Sequence, residues 1–354
     1  TSLRSFTLSN LQGRSARLPD QGASTAGALR VRGLNVFLTR RDGTIPLVYD
    51  VDLDVARGEF VALVGESGSG KSVTARAIMG IPAVGVGYTA TELVIAGNNL
   101  LTANRTQRQR LLGDRMSLVL QDALSALNPV LSIGSQLVEM LRAHRDISRK
   151  AARARAIELL SLVGIPGPDK RIDEYPHQFS GGMRQRILIA MAVALDPDLL
   201  IADEPTTALD VTIQAQILAL LDRLRRELGM GVLLITHDLG VVNEVADRVS
   251  VMYAGRVVES GTTSRVLDPP SHPYTVALLG AVPQVGRSDV DLVAIPGTPP
   301  PAGLLPPGCA FNPRCPLATD ICRHVRPGLR EVVGRHQVAC HHSEELTREL
   351  TATF

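Results

Sequence analysis

Short apolar runs rich in β-branched residues recur through the first three quarters of the chain, separated by longer stretches with apolar residues at helical spacing. From about Ala28 to Asp268 this alternation predicts a mainly parallel sheet covered by helices. The runs Phe60–Val64, Ser117–Leu120, Leu199–Asp203, Val232–Thr236 and Val249–Met252 read as strands. The stretch from Ile133 to Val163 is rich in Arg and Ala, has helical spacing and carries no strand signal, so it reads as a helical insertion. Beyond Asp268 the texture changes: eight prolines between Pro296 and Pro316 break regular structure and mark a separate, loop-rich extension. Residues 1–27 and 343–354 read as loose tails, the first lacking the continuous apolar stretch of a secretion signal. No repeat at a fixed period is visible.

Composition narrows the class. The chain has 354 residues, 45% apolar and 20% charged, enough for a sizeable core and inconsistent with wholesale disorder. A net charge of +2 is too small for a nucleic-acid coat or a polybasic membrane anchor. The longest uncharged apolar run, Ile187 to Leu195, is nine residues, far short of a membrane span. If the chain works at a membrane, it does so as a peripheral part. All four cysteines fall between Cys309 and Cys340, an arrangement unlike a disulfide framework and consistent with a reducing compartment.

Candidate chemistry begins at Gly65-Glu66-Ser67-Gly68-Ser69-Gly70-Lys71-Ser72, which fits G-x-x-x-x-G-K-[ST] directly after a strand and before a helical pattern starting at Val73. Glycines let successive backbone N–H groups turn inward around phosphate oxygens, and the helix start adds positive potential. Lys71 supplies a compact charge for the β- and γ-phosphates, and the Ser72 hydroxyl is the expected Mg²⁺ ligand. With 34 arginines and three lysines in the chain, a lysine at this position is itself informative, because a planar guanidinium suits a tight cradle poorly. A second strand, Leu199-Leu200-Ile201-Ala202, ends in Asp203 and Glu204. Strand alternation predicts that these carboxylates point apart, Asp203 toward the metal's water shell and Glu204 toward the water that attacks the γ-phosphate. Mg²⁺-dependent hydrolysis of ATP or GTP follows; on these two motifs alone a kinase stays open.

Phe179-Ser180-Gly181-Gly182-Met183-Arg184-Gln185-Arg186, shortly before the acidic strand, resembles the signature motif of the ABC-type ATPases, and the chain is identified as a member of that family over roughly Leu29 to Val266. The resemblance implies a P-loop NTPase fold of ABC type: an α/β core with an antiparallel β subdomain and a helical subdomain at about 122–195, in a nucleotide-binding domain at 28–268. It implies that Ser180, Gly181 and Gly182 of one subunit close on the γ-phosphate held by another. Gln121 resembles the Q-loop glutamine that contacts Mg²⁺, Ala208-Leu209-Asp210 the D-loop, and His237 the switch histidine on the γ-phosphate.

Gln121-Asp122 leading to Leu127-Asn128-Pro129, Met183 and Ser271-His272-Pro273-Tyr274-Thr275 together resemble the ATPases of oligopeptide and dipeptide importers, in the form of the first of their two ATPase components. Gly308-Cys309-Ala310-Phe311-Asn312-Pro313-Arg314-Cys315-Pro316, then Cys322 and Val338-Ala339-Cys340-His341, resembles their C-terminal extension, here 269–342. In that family a second, homologous ATPase and two transmembrane permease subunits are partners, an extracytoplasmic peptide-binding protein delivers cargo, and the ATPases lie on the cytoplasmic face of the plasma membrane. Nickel importers share much of this core, and a soluble ABC ATPase acting on DNA or ribosomes is the alternative class, disfavoured by the near-neutral charge and the lack of a long coiled-coil insertion. Cys309, Cys315, Cys322 and Cys340 include no C-x-x-C pair and fit no common zinc ribbon, yet Cys₄ ligation suits zinc or an iron–sulfur cluster. The family resemblance implies a 4Fe–4S cluster on these four residues, with His324, His336, His341 and His342 as spare ligands that keep zinc open. Many ABC ATPases stack adenine on an aromatic residue ahead of the phosphate loop. The stretch Leu38-Thr39-Arg40-Arg41 has none, which leaves Phe37 or an arginine face.

Overall fold

The computed structural model describes residues 27–207, 209–281 and 295–344; the expected tails therefore lie almost wholly outside the described residues. β1 (Leu29–Arg40) and β2 (Gly43–Val55) form a long antiparallel pair, after which β3 (Phe60–Val64) enters a second sheet and runs into α1 (Lys71–Ile78). β4 (Val86–Thr89) and β5 (Glu92–Ile95) both pair with β1, and β6 (Asn98–Asn99) with β5, completing a five-stranded antiparallel sheet. α2 (Arg105–Asp114), capped by Asn104, leads to β7 (Met116–Val119).

A helical layer follows: α3 (Ala123–Ala126), α4 (Ile133–His144), α5 (Arg149–Leu162), α6 (Pro168–Arg171) and α7 (Gly181–Val193). The expected helical insertion comprises two helices, α5 starting afresh where the Ser148 hydroxyl accepts from the Ala151 N–H. The chain then alternates through β8 (Leu199–Asp203), α8 (Val211–Leu228), β9 (Gly231–Thr236), α9 (Leu239–Val245), β10 (Arg248–Tyr253) and β11 (Arg256–Thr262). α10 (Thr263–Leu267), α11 (Pro273–Gly280), α12 (Asp320–His324), β12 (Arg330–Val333) and β13 (His336–Val338) complete the described chain.

The second sheet has eight strands in the order β12-β13-β11-β10-β3-β9-β8-β7, and β10, β3, β9, β8 and β7 run parallel. Every residue of β3, β8 and β9 is buried, as expected of parallel strands covered on both faces. Alternate residues sort between the faces. Leu200, Ala202, Val232 and Leu234 pack with the helical layer, whereas Leu199, Ile201, Leu233 and Ile235 pack toward the antiparallel sheet. The carboxyl ends of the parallel strands therefore come together in one row, where the loops carrying Gly65–Ser72, Gln121, Glu204 and His237 emerge.

The extension differs from its sequence reading. It is not separate: β13 pairs with β11 through Glu259 opposite Val338 and Ser260 opposite Gln337, so the core sheet continues into it. The fully buried Glu259 carboxylate fastens the joint, accepting from the Ser271 N–H (2.7 Å), the His272 N–H (3.2 Å) and His336 Nε2 (2.9 Å). Tyr253, Tyr274 and Phe311 pack ring to ring beneath it. Among the described residues no helix is long and apolar enough to cross a membrane.

Candidate functional site

The loop between β3 and α1 is shaped by steric exclusion. Gly65 has φ +154, and a Cβ there would stand 2.2 Å from the Met252 carbonyl oxygen, so only glycine fits. Gly70, at φ 107, is the N-cap of α1 and provides no side-chain cap, which leaves first-turn N–H groups, including that of the half-buried Val73, facing the loop. Ser67 and Gly68 are exposed at the tip, while Ser69 Oγ is buried with no partner. Lys71 is buried, and its Nζ donates to the carbonyls of Gly65 (2.7 Å) and Glu66 (2.9 Å). Burial lowers its pKa, against the opposing pull of Glu204, Asp203 and Glu66. An uncapped helix start, an orphaned hydroxyl and a desolvated ammonium fit a phosphate chain.

Ser72 Oγ donates to Asp203 Oδ1 at 2.8 Å, joining α1 to the end of β8. Burial raises the Asp203 pKa, the Ser72 hydrogen bond opposing it. This pair of hard oxygen donors beside the phosphate loop fits Mg²⁺. Glu204 faces elsewhere, but not through strand alternation. β8 ends at Asp203, and Glu204 turns out of it in the left-handed region at φ 48, its N–H donating to the Ile235 carbonyl. The turn brings its carboxylate within 3.1 Å of Gln121 Nε2, 3.0 Å of Thr207 Oγ1 and 3.4 Å of His237 Nδ1. A carboxylate held by an amide, a hydroxyl and an imidazole at the rim of a phosphate site can take a proton from water.

Lys71, Ser72, Gln121, Asp203, Glu204 and His237 thus converge. The signature residues do not join them. Ser180 caps α7, its hydroxyl accepting from the Met183 N–H, and both Ser180 and Gly181 are exposed. Gly182 sits against α8, where a Cβ would meet Ile213 Cγ2 at 2.7 Å. Asp210, also exposed, caps α8 by accepting from the Ile213 N–H at 2.9 Å. Ala208 of the expected D-loop lies outside the described residues. Phe37 lies against Gly87, its ring 2.6 Å from where a Cβ would stand.

Cys309, Cys315, Cys322 and Cys340 line one mainly apolar cavity together with His272, Phe311, His341 and His342, and no disulfide joins them. Burial pushes the Cys315 thiol up to about 12 and the Cys340 thiol up to about 11, so both are neutral at ordinary pH. The thiols are right in kind for a soft metal. Among the described residues, however, no group of three or more His, Cys, Asp or Glu is placed to hold an ion. The four thiols nevertheless line the same cavity. His324 Nδ1 is engaged with the Asp320 carbonyl, His336 Nε2 with Glu259 and His341 Nε2 with the Val325 carbonyl, which commits one ring nitrogen of each of three expected spare ligands.

Sequence reasoning missed three residues at the site. Thr207 had a local signal, a hydroxyl three positions after the acid. Tyr274, whose Oη accepts from the Glu66 N–H at 2.8 Å, and Arg314, which pairs with the Glu66 carboxylate, stand in the motifs that carry the family resemblance, but nothing local tied them to the loop, because both reach it from the extension.

Comparison with known proteins places these features. Residues 48–207 match the ABC transporter family model, and residues 258–322 match that of the oligopeptide/dipeptide transporter C-terminal region. The chain is 49% identical to the dipeptide transport ATP-binding protein DppD of Bacillus subtilis, over 88% of this chain and 93% of that one. It is 46% identical to the oligopeptide transport ATP-binding protein OppD of the same organism (88% and 87% covered), and 45% identical to DppD of Escherichia coli (89% and 96%). Among solved structures it resembles the dimeric ATP-binding cassette MJ0796 in a post-hydrolysis state bound to ADP and Pi, with TM-score 0.59 and 27% identity over 66% of this chain and 98% of that one. A phosphate loop, an acidic strand end and a cysteine-bearing extension on one sheet, together with these likenesses, establish the chain as an ABC-type ATPase belonging to the ATP-binding proteins of the oligopeptide/dipeptide transporter family.

Proposed function

We propose that this chain hydrolyses ATP to energise import of di- or oligopeptides through a multi-subunit transporter, at the cytoplasmic face of the plasma membrane. The observation that carries the reading is the split between two places. Phosphate loop, Asp203 and Glu204 converge, while the Ser180 helix start is exposed and packs on α8 instead. A helix start that caps no phosphate of its own chain is suited to one held by a neighbour. Lys71 holds the β- and γ-phosphates, with the backbone of Gly65 to Val73 around them. Ser72, Asp203 and Gln121 hold Mg²⁺, which when bound neutralises charge on the phosphates. Glu204 accepts the proton of the attacking water, and His237 contacts the γ-phosphate.

In this reading the partner across the nucleotide is a second, homologous ATPase, contributing its own serine–glycine turn opposite Lys71 while Ser180, Gly181, Gly182 and Asp210 complete the other site. Residues 28–268 form the nucleotide-binding unit, and its helical layer at about 122–195 meets the two permeases. A peptide-binding protein acts from the far side. The relatives' dipeptide and oligopeptide names support a peptide cargo. The test is reconstitution with both permeases, the second ATPase and the binding protein in vesicles. ATP-dependent uptake of labelled di- or oligopeptides is expected; uptake of nickel without peptide, or turnover indifferent to the companion subunits, contradicts it.

For Cys309, Cys315, Cys322 and Cys340 we propose a 4Fe–4S cluster, with zinc as the competing occupant. Support comes from the convergence of four thiols on one cavity. Anaerobic purification with iron, sulfide and zinc counts decides it: about four irons and four sulfides per chain are expected, and one zinc or no metal contradicts it.

A further inference from the structure

Glu66 places a carboxylate in the loop assigned above to a triphosphate, close enough to Lys71 to affect it electrostatically. Left alone, such a charge repels the ligand. It is not left alone. Arg314 Nη1 donates to Glu66 Oε2 at 2.7 Å and Nη2 to Oε1 at 3.0 Å, a fork-on-fork pair spanning 248 residues. The arginine side chain is only 4% exposed. Two further donors are also committed, Nε to the Pro296 carbonyl at 2.8 Å and Nη1 to Tyr253 Oη at 3.4 Å, with the guanidinium lying over the Tyr253 and Phe311 rings. On the other side of the same loop residue, the Glu66 N–H donates to Tyr274 Oη. The extension therefore grips Glu66 by both side chain and backbone.

We propose that Arg314 is a positioning residue of the nucleotide site: it neutralises Glu66 and fixes the first turn of the phosphate loop, so that the C-terminal extension sets the affinity for the triphosphate. The inference rests on the nucleotide reading above. It concerns charge, so it predicts more than lost packing. Removing Arg314 exposes a carboxylate whose repulsion grows with ligand charge and weakens with salt.

The test is equilibrium titration of the full chain with Mg·ATP and Mg·ADP at low and high salt, with thermal unfolding recorded for each variant. Arg314→Met is expected to weaken ATP about tenfold or more, to weaken ADP less, and to lose part of its deficit at high salt. Adding Glu66→Gln to it is expected to return ATP affinity to within about threefold of the unsubstituted chain. Unchanged ATP affinity in Arg314→Met, equal losses for ATP and ADP, or a double variant as weak as Arg314→Met alone overturns the proposal. Should Arg314→Met fail to fold, Arg314→Lys, which keeps the charge but not the fork, is read the same way: its ATP deficit must exceed its ADP deficit. An unsubstituted chain that binds no nucleotide overturns the underlying reading instead.

Discussion

The Oε1 atom of Glu204 lies 3.4 Å from Nδ1 of His237, although one residue follows β8 and the other follows β9. Adjacent parallel strands make this meeting, and the left-handed turn at Glu204 aims the carboxylate across it. His237 is more than half exposed, so its ring is free to exchange Glu204 for a phosphate oxygen. His237→Ala should lower kcat of the assembled ATPase by roughly 10²-fold, with little change in KM, since the contact forms with charge developing on the γ-phosphate. Steady-state phosphate release measures both; a rise in KM at unchanged kcat would show that the histidine only binds.

Lys71 is the buried cation of the loop and hydrogen-bonds loop carbonyls directly. Lys71→Met should abolish measurable ATP binding, and Lys71→Arg should not restore it, because a planar guanidinium cannot fill a space built for a point charge. Since burial lowers the pKa of this lysine, ATP affinity should fall on the alkaline side at lower pH than an exposed lysine would give. A pH titration of nucleotide binding reads this directly, and an affinity flat through the alkaline range opposes it.

Gly182 tests the exposed helix start without touching the phosphate loop. A Cβ there meets Ile213 Cγ2 at 2.7 Å, so Gly182→Ala must push aside the Ile213 side chain or the helix that carries it. Overpacking of this kind costs about 1–3 kcal/mol. The expected result is near-normal nucleotide binding by the single chain but at least about tenfold slower hydrolysis in the assembled transporter. Equal loss in both assays would place the defect in folding.

His272 gives the extension an acid limit. Its Nδ1 accepts from the Tyr274 N–H at 3.0 Å and caps α11, while its other nitrogen faces the Ala339 carbonyl. The ring is fully buried, and burial pushes its pKa down to about 4 from 6.5. The unfolded chain thus binds this proton more readily, so stability is intact above about pH 6.5 and is lost as pH falls toward 4, by about 3 kcal/mol at most. Hydrogen exchange of α11 and β13 should accelerate across that window, and His272→Asn, which caps without titrating, should flatten the response. Exchange independent of pH in the native chain, once intrinsic rates are corrected, contradicts it.

Much of this was legible in the sequence where chemistry and periodicity are local. Five apolar runs located the parallel strands to within a residue or two, with Leu199–Asp203 matched at both ends, and the spacing of Gly65, Gly70 and Lys71 located the loop. Whatever depends on distant pairing was not legible. β12 and β13 are short and half polar, so no alternation announces that they extend the core sheet. The Glu259–His336 joint and the Arg314–Glu66 fork link residues whose neighbours give no hint of each other. The rule of strand alternation separated Asp203 from Glu204 correctly in effect but for the wrong cause: a backbone turn, invisible in residue type, does it.

The central claim is that Glu204 activates water at a site where Lys71, Ser72 and Asp203 hold Mg·ATP. Glu204→Gln keeps the side-chain shape and one acceptor oxygen while removing the base. The deciding measurement is paired nucleotide retention and single-turnover hydrolysis by this variant in the assembled ATPase. The account predicts that it holds Mg·ATP at least as tightly as the unsubstituted protein and turns it over roughly 10²–10⁴-fold more slowly; hydrolysis near the normal rate, or loss of ATP binding, would contradict it.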